Sequence, residues 1–362
     1  MSLLKVLGKT PSGARLQRIR RSTHYRDGSF QNLVPTNVTS KDANFFKMLG
    51  DYRHRPASTA PSQRIPSVKT DLKNLPDDQA SLVWFGHSSY LLKLGKTHIL
   101  VDPVFSGNAS PVTFFAKAFP GANDYQAADM PDTLEAILLT HDHYDHLDYK
   151  TIQQLKHRTN HFYTSLGVGA HLEFWGIPAE KITELDWWET VETPAFTLTA
   201  TPARHFSGRG LKRGAAAWSS FVLKTPGAAN IPAATNAPAV TNTSLNLFLG
   251  GDSGYETHFK TIGEKYGPFD LAILECGQYG VNWPYIHMTP EQTITAALDL
   301  KATTLFPVHW AKFTLALHPW NEPIRRAKAA AEKANLPMTT PRIGEIVIIN
   351  KHYPIDTWYD FL

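Results

Sequence analysis

Thr140-His141-Asp142-His143-Tyr144-Asp145-His146 closes an apolar run that starts at Glu135. Three imidazoles and two carboxylates in six residues, directly after a strand-like segment, are costly to place without a purpose, because buried polar groups need partners. Imidazole nitrogen is a borderline ligand suited to Zn, Fe or Ni, and carboxylate oxygen completes a divalent site. On a tight loop alternate residues point the same way. His141 and His143 can therefore grip one metal while Asp145 and His146 turn toward a second.

Working outward, regular structure begins at Ser81. Ser81–Phe85, Tyr90–Leu94 and His98–Asp102 read as consecutive strands, with Gly95-Lys96 as the tight turn between the last two. Strands and helices then alternate. Strands are expected at Glu135–Thr140, His161–Ser165, Lys181–Leu185, Phe196–Pro202, Ala216–Leu223 and Leu245–Leu249, and again at Phe269–Leu274, Thr303–Val308 and Glu345–Ile349. Helices are expected at Tyr149–Lys156, Val168–Trp175, Tyr255–Tyr266, Pro290–Leu300 and Ile324–Ala334. The Pro290 helix carries its own start signal: Thr289 as N-cap, Pro290 at the first position and Gln292 completing a capping box.

Residues 1–80 are rich in Pro, Ser and basic residues and read as an extended arm on a domain spanning 81–362, with a short helix near Asn44–Leu49. Lys5, Lys9, Arg15, Arg18, Arg20, Arg21 and Arg26 all precede the first acidic residue, Asp27. Two readings of that block stand: attraction to an anionic surface, either lipid headgroups or nucleic acid, or a solvated, poorly ordered tail. Thr225–Ser244 is an uncharged, low-complexity insertion, either disordered or a lid. No apolar run reaches the ~20 residues that a bilayer span needs, and Met1–Gly8 is too short and interrupted for a signal-peptide core. Cys276 is the only cysteine, which excludes an internal disulfide. The expected location is the cytoplasm, with peripheral contact at the inner membrane face as a further expectation.

The histidine loop resembles the H-x-H-x-D-H signature of the metallo-β-lactamase superfamily. The resemblance implies an α/β (α+β) fold, a four-layer αββα sandwich with two divalent metal ions, Zn first and Mn or Fe also suited. It also implies the remaining ligands at later strand ends. His205, after Thr201-Pro202-Ala203-Arg204, is the implied third ligand of the first metal. Asp252, in Gly250-Gly251-Asp252-Ser253-Gly254, is the implied bridging carboxylate, and His309, after Phe306-Pro307-Val308, the implied last ligand of the second metal. Asp102 matches an early aspartate that steadies the histidine loop by hydrogen bonds. The motifs Tyr144-Asp145-His146-Leu147-Asp148-Tyr149, Tyr266-Gly267-Pro268-Phe269-Asp270-Leu271 and His287-Met288-Thr289-Pro290-Glu291 are similar to one branch. That branch is the N-acyl-phosphatidylethanolamine-hydrolysing phospholipase D group and its bacterial relatives. It implies that His287 contacts a substrate phosphate, that the substrate is a phospholipid or other phosphodiester, and that the chain is a homodimer. Ile286 departs from the branch, which has a glutamine there, and the Thr225–Ser244 insertion is a second departure.

Under this reading two cations about 3.5–4 Å apart activate a bridging water for in-line attack on phosphorus. Asp145 and Asp252 offset their charge, and His287 and Tyr144 stabilise the reacting oxygens. His87, in Gly86-His87-Ser88-Ser89, is either structural or site-lining. Phe114, Phe115 and Phe119 either pack in the core or line an acyl groove. The rivals are a lactone or other ester hydrolase, a nuclease-type phosphodiesterase and a non-catalytic metal scaffold. The uncharged insertion disfavours phosphate-backbone binding, so no nucleic-acid partner is expected.

Overall fold

In the computed structural model, which describes residues 3–41, 43–112, 115–210, 212–226 and 244–362, the strands are buried in a way that dictates the layers. The elements, in chain order, are α1 (Leu3–Leu7), α2 (Gly13–Ile19), β1 (Tyr25–Arg26), β2 (Ser29–Phe30), α3 (Phe45–Arg53), β3 (Ser81–Trp84), β4 (Tyr90–Leu94) and β5 (Thr97–Val101). They continue with β6 (Leu134–Leu139), α4 (Tyr149–Leu155), β7 (Thr159–Ser165), α5 (Gly169–Phe174), β8 (Ile182–Leu185), β9 (Thr190–Glu192), β10 (Thr197–Thr201) and β11 (Ser220–Lys224). The last third holds β12 (Asn246–Leu249), α6 (His258–Tyr266), β13 (Leu271–Glu275), α7 (Pro290–Asp299), β14 (Leu305–Val308), α8 (Glu322–Lys333) and β15 (Ile346–Ile348).

Two mixed sheets result, one ordered β15-β3-β4-β5-β6-β7-β8 and the other β14-β13-β12-β11-β10-β9. Side chains alternate between the faces of a strand. In the second sheet Phe221, Leu223, Leu247, Leu249, Leu271 and Ile273 join the core shared with the first sheet. Their neighbours Val222, Phe248, Ala272 and Leu274 pack instead with Phe259 and Ile262 of α6 and Ile294 and Ala297 of α7. Strand β6 is likewise buried on both faces after its first turn, and Ile152 and Leu155 of α4 and Leu172 of α5 join its core. Strands buried on both faces need cover on both. The result is the helix–sheet–sheet–helix sandwich expected from the sequence.

Strand direction then positions the site. β3, β5 and β6 run parallel within the first sheet, and β10, β12, β13 and β14 within the second. His87, Asp102 and the histidine loop follow the carboxyl ends of the first three; His205, Asp252 and His309 follow those of β10, β12 and β14. Ligands of open α/β sheets collect at this end. The Gly95-Lys96 turn is a two-residue hairpin, with Leu94 paired to Thr97 and Gly95 at φ 61°, the left-handed conformation that such turns require.

The arm differs from the extended segment expected. It forms α1, α2 and the β1–β2 hairpin, each too short to show a period in sequence, while α3 with Asn44 as its N-cap is the short helix expected near Asn44–Leu49. Burial selects α2 and the hairpin: Ile19 and Phe30 close a separate apolar cluster with Leu166, Trp187 and Trp218. Nor does the basic block stand free in solvent. Arg15 pairs with Glu173 and Glu184, and Arg18 with Glu189, so two of its cations are neutralised by the chain's own acids. Phe114 and residues 227–243 of the insertion lie outside the described residues. Phe119 is buried in the main core and Phe115 is partly exposed. Among the described residues no helix is long and apolar enough to cross a membrane.

Candidate metal centre

Three imidazoles meet at one point. His143 Nδ1 lies 2.9 Å from His141 Nε2 and 3.2 Å from His205 Nε2. The outer nitrogens of the last two are already committed. His205 Nδ1 donates to the Ile286 carbonyl at 2.9 Å. His141 Nδ1 is 3.0 Å from Thr140 Oγ1, whose own hydrogen goes to Asp102 at 2.6 Å. A neutral imidazole has one N–H, so both inward Nε2 atoms present lone pairs. A single proton on His143 Nδ1 satisfies only one of them. A cation satisfies all three, and tetrahedral coordination by nitrogens at 2.0–2.1 Å sets ligands about 3.3 Å apart. Burial holds His143 near a pKa of about 4. Burial and the neighbouring imidazoles keep His141 and His205 well below the ordinary value. All three are in the form that ligates.

A second cluster adjoins the first. His146 Nε2 lies 3.2 Å from Asp252 Oδ1 and 3.6 Å from Asp145 Oδ2, and His309 Nδ1 is 3.1 Å from Asp252 Oδ1. His146 Nε2 and Asp252 Oδ1 are buried without a hydrogen-bond partner. Orphaned buried polar atoms of this kind need explanation, and a cation between them supplies it. Asp252 faces both ways: its Oδ2 is 3.9 Å from His141 Nε2 and 3.7 Å from His205 Nε2. Burial pushes its pKa up to about 6 against the pull of His146. Burial also opposes ionisation of Asp145, but His146 and the hydrogen bond from His87 hold it well below the usual carboxylate range. His146 is desolvated too, yet Asp252, Asp145 and Asp102 together raise it well above an ordinary imidazole.

The supports are equally specific. Asp102 Oδ1 accepts from the Thr140 backbone N–H at 2.9 Å, and its Oδ2 lies 2.7 Å from His146 Nδ1. It thus fixes the entry to the histidine loop and the ring inside it. His87 is fully buried; its Nε2 donates to Asp145 Oδ2 at 2.9 Å, and its ring lies 4.0 Å from that of His309. His87 is absent from the residues that line the cleft, so of its two sequence readings the structure favours the supporting one. His87, Asp102 and His309 all adopt positive φ, at 54°, 41° and 68°. That conformation costs a non-glycine residue about 1 kcal/mol or more, and it is retained where the surroundings over-determine it.

Residues 97–310 match the family described as the beta-lactamase superfamily domain, a span that contains every donor above except His87. The chain belongs to the beta-lactamase superfamily. It is 36% identical over 356 residues to an uncharacterized protein of Mycobacterium tuberculosis, covering 95% of this chain and 91% of that one. It is 27% identical over 245 residues to N-acyl-phosphatidylethanolamine-hydrolyzing phospholipase D 1 of Caenorhabditis elegans, covering 64% of each chain. A metallo hydrolase from Ignicoccus hospitalis superposes with a TM-score of 0.54 at 17% identity, over 76% of this chain and all of that one. The superfamily fold and the buried His/Asp clusters make this chain a metal-dependent hydrolase.

Two positions depart from the sequence reading. Tyr144 is not among the residues that line the cleft: its hydroxyl donates to the Arg209 carbonyl and its ring lies 4.1 Å under the Arg209 guanidinium. Arg209, 65 residues away, decides that direction. Glu275, at the end of β13, was not singled out. It is fully buried; Oε2 lies 2.7 Å from His287 Nδ1 and Oε1 accepts the Ser253 backbone N–H at 2.8 Å. One carboxylate therefore ties His287 to the loop that carries Asp252. Burial pulls His287 down and pushes Glu275 well up. His287 lines a cleft of about 260 Å³ over the centre, walled by Val38, Met48, Trp283, Ile286 and Leu315. The arm also clamps a donor. Asn32 Oδ1 accepts from the His205 backbone N–H at 3.0 Å, and Asn32 Nδ2 donates to its carbonyl at 2.8 Å.

Lys312 knits the rim from below, donating to the carbonyls of Phe85 at 3.0 Å and Val104 at 2.8 Å. Burial lowers its pKa from 10.5 to about 7. Between those values the unfolded chain binds more protons than the folded one, so stability rises with pH across that window. The Lys312→Met variant is expected to lose this part of the slope. Urea midpoints at pH 7 and pH 9.5 check it, wild type gaining more than the variant over that interval.

Proposed function

We propose that this metal-dependent hydrolase is a binuclear phosphodiesterase of phospholipase D type, acting on N-acyl-phosphatidylethanolamine-like lipids. The observation that carries the reading is Asp252, whose two oxygens face two separate donor clusters, His141/His143/His205 and Asp145/His146/His309. Divalent cations held there, zinc first by the nitrogen-rich donor set, supply Lewis acidity toward a phosphoryl oxygen and toward water. The side chains do the rest. Asp145 and Asp252 balance the cationic charge. Glu275 holds His287 by Nδ1, so Nε2 is the atom left to the cleft. There it donates to the phosphoryl oxygens as negative charge builds and delivers a proton to the departing alkoxide. As Nε2 gives up its proton Nδ1 takes one from Glu275, and water contributes the hydroxyl that ends on phosphorus and the proton that restores the His287–Glu275 pair. The products are a phosphatidic acid and an N-acylethanolamine-type alcohol.

The apolar walls of the cleft suit acyl chains. Helix α3, which contributes Met48 to those walls, exposes Phe46 at 80% and Leu49 at 51%. Arg53, Arg55 and Lys117 line a neighbouring cavity with Phe115. Exposed apolar side chains beside cations suit peripheral contact with an anionic bilayer. The test is a screen of the zinc-loaded chain against bis-p-nitrophenyl phosphate, a lactone panel and vesicles of N-acylated phospholipid. Turnover of the diester and of the vesicles, with sedimentation on anionic vesicles, is expected. Turnover confined to lactones overturns the reading.

A further inference from the structure

The cleft over the metal centre has a polar annex. A second cavity, of about 170 Å³, is lined on its arm side by Ser29, Gln31, Asn32 and Thr36, and it shares Val38, His205, Phe206 and Arg213 with the cleft. Among the described residues Arg213 is the only lysine or arginine lining either space. Its guanidinium sits 5.2 Å from the centre of the Phe206 ring, and that ring in turn packs 4.4 Å from His143 and 5.0 Å from His205. The cation is therefore one aromatic ring away from the first donor cluster. Among the described residues no carboxylate forms an ion pair with it.

The backbone beside Arg213 is anchored to the arm, while the residue itself is exposed. Gly214 donates to the Ser207 carbonyl at 3.0 Å and accepts from the Phe30 N–H at 2.9 Å. Gly214 has φ +67°, and a Cβ there would meet Ser29 Cβ at 2.9 Å, so the arm closes directly onto the turn bearing Arg213. The polar groups are not equally available. Asn32 is committed to His205, and Thr36 Oγ1 accepts from Arg204 Nε at 2.9 Å. Ser29 Oγ accepts from Gln31 Nε2 at 2.8 Å, which leaves the serine hydrogen to donate into the cavity. A guanidinium and a donor hydroxyl, with no acid opposite, form a receptor for an oxyanion.

We propose that this annex is a substrate subsite for a phosphate or carboxylate group distinct from the reacting phosphorus, with Arg213 as its charge contact. The proposal rests on the phosphodiesterase reading and narrows its substrate: N-acyl-phosphatidylethanolamine has no anionic group besides the reacting phosphate, so the preferred diester is a relative of that lipid whose arm in the annex carries a phosphate or carboxylate. Phe206 separates that group from the bond being broken, so Arg213 acts on binding and not on the chemical step.

The test uses the zinc-loaded full chain and three p-nitrophenyl phosphodiesters whose other arm ends in a hydroxyl, a carboxylate or a phosphate. Wild type is expected to show a KM about tenfold lower for an anionic arm, the scale of one charged hydrogen bond. The better of the carboxylate and phosphate arms names the ligand. Arg213→Ala is expected to erase that preference while leaving kcat and the hydroxyl-ended substrate unchanged, and Arg213→Lys to keep part of it. Equal effects of Arg213→Ala on all three substrates, or no preference in wild type, overturn the proposal. If none of the diesters is hydrolysed, it is the phosphodiesterase reading that fails. The same three arms on p-nitrophenyl carboxylic esters then decide the subsite by the same comparison.

Discussion

Replacing Asp252 with alanine is expected to abolish hydrolysis and to release both cations together. Among the described residues Asp252 is the one side chain with an oxygen toward each cluster, Oδ2 toward His141 and His205 and Oδ1 toward His146 and His309. Its removal takes a donor and a negative charge from both positions at once. His141→Ala removes a donor from the first cluster only, so its loss of metal is expected to be the smaller. Loss of a group that merely orients a ligand costs about 10–100-fold in affinity or activity, and a bridging ligand is expected to exceed that in both. Elemental analysis of the purified variants, beside turnover of bis-p-nitrophenyl phosphate, checks both halves. Two equivalents of metal retained by Asp252→Ala would contradict the bridging assignment, whatever happened to turnover.

That prediction was largely open to sequence reasoning, and the reason is physical. His141, His143, Asp145 and His146 lie in one loop at the end of an apolar strand, and a short continuous apolar run closed by polar residues marks such a strand end. His205, Asp252 and His309 came from the resemblance to the superfamily and not from their local sequence; the structure brings them to the loop because the parallel strands of both sheets deliver their carboxyl ends to one side. Long-range partners were another matter. Asn32 grips His205 across 173 positions, and no local pattern announces it. The direction of Tyr144 depends on where Arg209 lies. Helices α1 and α2 span five and seven residues, too short for a period to show, and burial of Ile19 against Trp187 and Trp218 explains α2 better than propensity does. Glu275 is different, because its signal was present and unread. A carboxylate closing the apolar run Leu271-Ala272-Ile273-Leu274 is expensive unless something answers it, and what answers it is His287.

The pair formed by Glu275 and His287 gives the other large expected effect, one that depends on the leaving group. His287→Ala is expected to bind metal as wild type does, because His287 stands outside both clusters assigned to the cations. Its kcat on a diester with an alkyl leaving group is expected to fall by about 10²-fold or more, the scale of a general acid. With p-nitrophenolate, which departs without a proton, the loss is expected to shrink to a few fold. A purely structural role would lower both substrates alike, and equal losses would refute the assignment. Glu275→Gln separates orientation from proton delivery. A glutamine fills the same space and can still meet His287 Nδ1 and the Ser253 N–H, but it has no proton to exchange with the ring. The ring therefore keeps its aim and loses its means of replacing a proton given up at Nε2. The expected result is an intermediate loss on the alkyl diester, about 10–100-fold, with metal content and KM unchanged. Glu275→Ala removes the aim as well, and its kcat is expected to fall to that of His287→Ala. Wild-type kcat in Glu275→Gln on the alkyl substrate would leave Glu275 a structural tie between the Asp252 loop and α7, with no part in moving a proton.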